Sequence, residues 1–167
     1  PLIAALVCSV RKSKTLVNLF GQLPPRFSKA GLIDEFPQAA SQKILGHFAL
    51  DDRVTQVDFG SGSALLTYDD GRNEPAADAV AKRLQQMCDE LAKFFTTDLG
   101  FDKIVQINWI DGIRITFNNG DIAHVRPSGN APQLRIYAVA NTQQRADEIV
   151  KFALAEPNGI LRSLEKI

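Results

Sequence analysis

The chain has 167 residues, 45% of them hydrophobic and 23% charged, an ordinary balance for a globular domain able to bury about two-thirds of its surface. Nineteen Lys and Arg cancel nineteen Asp and Glu, which excludes an overall field drawing the chain to nucleic acid or an anionic membrane; any anion recognition is local. The two cysteines and two histidines form no CxxC pair and no cluster with metal-ligand spacing, so Cys8 and Cys88 read as small buried apolar residues in a reducing cytoplasm rather than a disulfide.

In chain order, Leu2–Cys8 is apolar on every side, the pattern of a helix belonging inside a larger core. Thr15–Leu23 reads as a short helix stopped by Pro24 and Pro25, and Arg26–Glu35 as an extended connector. Pro37 opens a helix to about Phe48, with Ile44, Leu45 and Phe48 as its apolar stripe. Val54–Phe59 and Ala64–Tyr68 are strand candidates split by a Gly60–Ser63 turn, and Asp69–Arg72 is a turn before the next helix. That helix starts near Pro75, with Val80, Leu84, Met87, Cys88, Leu91, Phe94 and Phe95 at helical spacing and Gly100 following as a stop signal. The period then changes to two. Ile104–Trp109, Ile113–Phe117, Ile122–Val125 and Leu134–Val139 predict four strands, with a hairpin turn at Asn118-Asn119-Gly120. Asn141 and Gln144 resemble a capping box for a helix through about Ala155, and Ile160–Lys166 forms a last short helix. A sheet followed by helices predicts an α+β fold with a four-stranded antiparallel sheet.

Between the last two strands stands Arg126-Pro127-Ser128-Gly129-Asn130-Ala131-Pro132. It combines a guanidinium, a hydroxyl and several free backbone N–H groups in one stiffened turn. Arg offers planar, bidentate donors that suit phosphate. Gly129 permits close ligand approach or the positive φ of a concave nest. Pro127 and Pro132 limit the entropy lost on ordering. Two readings fit the bare motif: a phosphate-binding loop, and a hairpin turn with an exposed Arg and Ser. Arg135, between core-facing Leu134 and Ile136, points to solvent or to the ligand. His124 reads as a strand side chain with a satisfied hydrogen bond. Lys103, Arg114 and Arg145 read as ordinary surface charges.

The loop and the strand after it, through Tyr137, resemble the last-domain phosphate loop of the α-D-phosphohexomutases, which runs roughly R-x-S-(G or N)-T-(E or T)-P with a second Arg following. Arg126, Ser128, Gly129, Pro132 and Arg135 match; Asn130 stands where the family usually has Thr, and Ala131 also departs. Asp111-Gly112-Ile113-Arg114 is similar to the family's D-G-hydrophobic-R segment. Leu23-Pro24-Pro25-Arg26-Phe27 and Phe36-Pro37 look like the linker entering the last domain of phosphomannomutase-type members. The family's T-A-S-H-N, D-G-D-x-D-R and G-E-x-S-G-H loops do not occur in this sequence.

The resemblance implies a C-terminal piece of a phosphohexomutase, most like a phosphomannomutase, with helices packed on one face of the sheet. Residues 1–23 are then the helical tail of an upstream third domain, 24–52 a linker and helix, and 53–167 the phosphate-binding domain. The parent enzyme would be a cytoplasmic isomerase that interconverts hexose 6-phosphate and hexose 1-phosphate through a phosphoserine and a bisphosphate. Its Mg²⁺ would be bound by a domain outside this chain. Arg126, Ser128, Gly129, Asn130 and Arg135 would bind the substrate's non-reacting phosphate, no catalytic or metal-ligating residue would lie here, and the fragment alone would be inactive. The implied partners are mannose or glucose phosphates and the upstream catalytic domains, with no nucleic acid and no membrane. A phosphoglucosamine mutase fragment, a non-catalytic anion-binding module and a purely structural domain are the alternatives.

Overall fold

A computed structural model of the chain describes residues 2–60 and 62–167. Helices α1 (Leu2–Arg11) and α2 (Leu16–Phe20) come first; they touch one another, and neither has a buried residue. The Thr15 hydroxyl accepts from the Asn18 N–H at 3.2 Å and caps α2. Leu2, Ile3, Val10 and Val17 are all exposed, so the apolar face noted in the sequence lies open.

The chain then enters β1 (Phe27–Ile33), α3 (Gln38–His47), β2 (Val54–Phe59), β3 (Ala64–Tyr68) and β4 (Asn73–Pro75). Helix α4 (Asp78–Leu91) follows, with Phe94 and Phe95 beyond its end, and then a 3₁₀ turn, Thr97–Leu99. Strands β5 (Ile104–Asn108), β6 (Ile113–Phe117), β7 (Ile122–Pro127) and β8 (Leu134–Ala140) complete the sheet, and α5 (Gln143–Leu154) and α6 (Ile160–Leu164) close the chain. The expected turn at residues 60–63 includes Ser61, which lies outside the described residues.

All strand pairs are antiparallel, in the order β1-β8-β7-β6-β5-β2-β3-β4. The fold is therefore α+β as expected, but the sheet has eight strands, not four. Three departures account for this. The expected connector at Arg26–Glu35 is β1, pairing with β8 from Phe27↔Ala140 to Ile33↔Leu134. The β2–β3 hairpin joins the same sheet through Gln56↔Asn108 and Val57↔Ile107. The Asp69–Arg72 turn leads to β4 rather than directly to a helix. In each case a strand edge with unpaired N–H and C=O groups gains a partner.

One face of the sheet carries the core. Ile113, Ile115 and Phe117 of β6, Ala123 and Val125 of β7, and Leu134, Ile136 and Ala138 of β8 join Ile44, Leu84, Leu91, Ile149 and Leu161 from the helices in one buried cluster. Gly31 lets α5 approach closely: a Cβ there would stand 2.6 Å from Leu154 Cδ1 and from Val150 Cγ1. The opposite face is polar. Asp58 accepts from the side-chain amides of Gln56 and Gln106, both at 2.7 Å, and Gln56 accepts from Asn108 at 3.1 Å.

The turn at Asn118-Asn119-Gly120 forms as expected, with Gly120 at φ +86°. The cap of α5 is Thr142 rather than Asn141: the Thr142 hydroxyl accepts from the Arg145 N–H at 3.1 Å. Asn141 instead accepts from Arg26 at 2.7 Å, and Arg26 also donates to the Gly120 carbonyl at 2.6 Å. Arg145 is no ordinary surface charge. Its side chain is 18% exposed and pairs at 2.7 Å with Asp121, itself 5% exposed. It also donates to the Leu99 carbonyl at 2.8 Å and lies 4.9 Å from the centre of the Phe101 ring. Helix α5 is thereby fastened to the β6–β7 turn.

Removing one member of a buried ion pair strands the other. Arg145→Ala should therefore lower stability by about 3 kcal/mol, whereas Arg53→Ala, in exposed pairs with Asp69 and Asp70, should cost under about 1 kcal/mol; urea unfolding of both checks this. Both cysteines are free thiols. Burial, followed by the nearby Asp89 carboxylate, pushes the Cys88 thiol from 9.0 up to about 11. Folding thus holds the proton on Cys88. The stability this adds is present below pH 9.0 and is lost as pH rises through about 11. Cys88 should alkylate far more slowly at pH 9 in the folded chain than in urea, as read by mass spectrometry.

Candidate anion-binding site

The loop lies at one end of β7 and β8. The register opposes Arg126 to Arg135 and Pro127 to Leu134. Val125, Leu134 and Ile136 are buried in the core, so alternation sends Arg126 and Arg135 together to the polar face. His124 and Tyr137, also paired in the register, lie on that face one step further along. Their rings sit 5.8 Å apart, and the Arg126 guanidinium lies 6.0 Å from the Tyr137 ring.

Two like charges directly across an antiparallel pair destabilise it unless something offsets them. For Arg126 the offset is Asp111: Nη1 lies 2.5 Å from Oδ2, the two side chains being 34% and 58% exposed. For Arg135 it is only an amide oxygen, because Nη2 donates to Gln133 Oε1 at 3.0 Å. The Nε of each arginine is buried and has no hydrogen-bond partner among the described residues. Buried unpaired donors are uncommon and cost about 1–3 kcal/mol each. Arg126, Arg135 and Asp111 leave one positive charge over, beside two idle N–H groups.

The loop is braced from both sides. The Ser128 N–H donates to the Gln133 carbonyl and the Gln133 N–H to the Ala131 carbonyl. From the segment after β1, the Phe36 N–H donates to the Pro132 carbonyl at 2.8 Å and Asp34 accepts from the Gln133 amide at 2.6 Å. Ser128 is buried at 6% exposure, while Gly129 and Asn130 are exposed at the tip. Gly129 is not among the glycines with positive φ, and a Cβ built on it meets nothing within 4 Å. Of the two reasons expected for this glycine, only open space for a close ligand remains.

Gly112 is different. It sits at φ +96°, and a Cβ there would stand 2.4 Å from the Val125 carbonyl oxygen and 2.8 Å from Arg126 Cβ. The Asp111-Gly112 turn therefore lies flush on β7, where the Asp111 carbonyl accepts from His124 Nε2. His124 thus has its expected hydrogen bond. In the sequence Asp111 stands out only as part of the Asp111-Gly112-Ile113-Arg114 segment, not as a partner of Arg126, and Asp34 and Tyr137 carry no site signal. Period-two alternation could have placed Tyr137 beside Arg135, but the two carboxylates come from other strands' ends, and no spacing announces them.

Among the described residues no three His, Cys, Asp or Glu side chains are grouped to hold a metal ion, and no helix is long and apolar enough to cross a membrane. A cavity of about 800 Å³ lies between α4 and the ends of β2 and β5, lined by Phe59, Leu84, Cys88, Phe95, Lys103 and Ile104 among others; no residue of the loop lines it. The loop's tip residues, Gly129 and Asn130, stand in the open instead.

Gly129→Ala should leave the melting temperature unchanged within about 2 °C, because the new methyl meets open space. Gly112→Ala should lose at least about 2 kcal/mol, since it combines a left-handed backbone with a clash against backbone atoms. Thermal and urea unfolding of the pair checks the contrast.

Comparison with known proteins identifies the family of the domain. The profile described as "Phosphoglucomutase/phosphomannomutase, C-terminal domain" matches residues 69–156, just over half of the chain. A phosphomannomutase of Salmonella muenchen is 48% identical over 63 residues, 36% of this chain and 13% of that protein. One of Sinorhizobium fredii is 47% identical over 49 residues, 29% of this chain and 10% of its own length. A phosphopentomutase of Thermococcus kodakarensis is 36% identical over 64 residues, 38% of this chain and 14% of its length. Each match spans only a small share of the curated relative. The chain belongs to the phosphoglucomutase/phosphomannomutase family and carries that family's C-terminal domain.

Proposed function

We propose that this chain is the substrate-phosphate-holding part of a phosphohexomutase, an isomerase that interconverts hexose 6-phosphate and hexose 1-phosphate. The observation that carries the reading is the opposed pair Arg126 and Arg135, each with a buried, idle Nε at the base of the loop. Arg126 anchors the phosphate that is not reacting, with Arg135 on its other side. Ser128 donates through its hydroxyl, and Gly129 and Asn130 through backbone N–H groups at the open tip. Likeness to proteins named phosphomannomutases supports a mannose 1- or 6-phosphate as the sugar, and likeness to one named phosphopentomutase supports a wider sugar range for this domain type.

In the whole enzyme the phosphoryl group would pass through a phosphoserine and a bisphosphate, on catalytic domains upstream of residue 24. Residues 1–23 would be the tail of the third domain, 24–52 the linker and helix, and 53–167 the phosphate-binding domain. The exposed apolar faces of α1 and α2 support that division. Rotation of the last domain over the cleft would exclude water and limit loss of the phosphoryl group to hydrolysis. Mg²⁺ would be held by a domain outside this chain. The enzyme would work in the cytoplasm.

Two or three charge-assisted hydrogen bonds at about 1.5–3 kcal/mol each, less the cost of association, leave about 4 kcal/mol, a dissociation constant near millimolar. An amide NMR titration with mannose 1-phosphate should give weak, saturable shifts confined to Arg126–Ala131 and Arg135, with chloride giving none. Arg126→Ala should abolish them. No shift at tens of millimolar, or shifts that survive Arg126→Ala, would overturn the reading. In a coupled assay the chain alone should turn over neither mannose 1-phosphate nor glucose 1-phosphate.

A further inference from the structure

Most surface ion pairs here are incidental. The pairs of Arg53 with Asp69 and Asp70 and of Arg72 with Asp70 join flexible, half-exposed side chains at 3.4–3.9 Å, a geometry that contributes little. Asp111 differs in three respects. Its contact with Arg126 is the closest ion pair among the described residues, at 2.5 Å. Its backbone is fixed twice against the strand that carries Arg126: His124 Nε2 donates to its carbonyl, and Gly112 permits the turn to lie on Val125 and Arg126 without a Cβ in the way. It also takes one chosen part of the guanidinium. With Nη1 on Asp111, the edge formed by Nε and Nη2 is left over, and Nε is the buried atom without a partner. That edge is one of the two that can grip an oxyanion with parallel N–H donors.

We propose that Asp111 is the positioning residue of the site: its carboxylate, taking Nη1, holds the Arg126 guanidinium so that the Nε–Nη2 edge stays unclaimed by the protein and is left for a phosphate, which must open the cover over the buried Nε to reach it. This rests on the phosphate reading above. An Arg side chain has several rotatable bonds, and ordering one on binding carries an entropic cost that a fixed partner removes beforehand. Asp111 itself would not touch the ligand. Its charge would also offset the repulsion between Arg126 and Arg135 while no anion is present. The carboxylate is more than half exposed, so its own repulsion of an incoming phosphate is screened by water.

The test compares the unchanged chain with Asp111→Ala, Asp111→Asn and Asp111→Glu, using the Arg126 Nε–Hε resonance and titration with inorganic phosphate. His124 bonds the backbone carbonyl of residue 111, so the turn should survive these changes; the amide spectrum of β6 and β7 verifies it. Without phosphate, the resonance should be sharp and slowly exchanging in the unchanged chain, weakened in Asp111→Asn, lost in Asp111→Ala and restored in part by Asp111→Glu. With phosphate, Asp111→Ala should raise the dissociation constant about tenfold. A resonance indifferent to Asp111 would overturn the proposal, whatever phosphate does. Tighter phosphate binding in Asp111→Ala would overturn it too, by making the carboxylate a competitor. A resonance that depends on Asp111 in a chain that binds no phosphate would uphold the positioning and sink the phosphate reading alone.

Discussion

The arrangement of the whole site follows from the pairing of β7 with β8. The register that sets Val125 against Ile136 in the core necessarily sets Arg126 against Arg135 on the other face. A slip of β8 by one residue would turn Arg135 into the core and Leu134 and Ile136 out of it, so core packing enforces the juxtaposition of charges. Two cations held side by side by apolar packing are an electrostatic strain on the sheet. The site can be read as the set of groups that manage that strain: a carboxylate on one arginine, an amide on the other, and space for an anion at the tip.

Support reaches the loop from three directions in the chain. The turn before β6 lies on β7 because Gly112 has no side chain. The segment after β1 braces residues 132 and 133 through Asp34 and the Phe36 N–H. At the far end of β7, Asp121 and Arg145 fasten the β6–β7 turn to α5, and Arg26 ties the same turn to the chain ahead of β1. Both ends of the arginine-bearing strand are thus fixed, and only residues 129 and 130 stand clear.

How much of this was legible depended on whether the signal was local. Alternation marked β6, β7 and β8 cleanly, and Asn118-Asn119-Gly120 announced its hairpin because Gly120 needs positive φ. The arginines, Ser128 and the loop prolines were visible as a motif, and the resemblance they carried matches the family of the domain. Strand β1 was hidden: Ser28-Lys29-Ala30-Gly31 neither alternates nor favours extension, and it is a strand because β8 offers it an open edge. The sequence predicts only four strands in the sheet for the same reason, since pairing of β2 with β5 is a property of the edge and not of either segment. Arg145 looked like any charge on a helix. Its burial comes from Asp121 and Phe101, which belong to other elements. The helix cap missed by one residue because Asn141 and Thr142 are both able caps, and Arg26 had claimed Asn141.

The place of β1 has a consequence for how such a chain is made. Its neighbour β8 lies roughly a hundred residues later in the sequence, so their ladder is among the last that can form as a polypeptide emerges from the ribosome. Until then β1 has no partner strand, while the β2–β3 hairpin, α4 and the β5–β6 pair can already assemble from near neighbours. The brace that Asp34 and Phe36 lend to the Arg126–Pro132 loop waits on the same event. Vectorial synthesis therefore leaves the loop's supports incomplete until the strand that carries Arg135 has emerged and met the one that was made first.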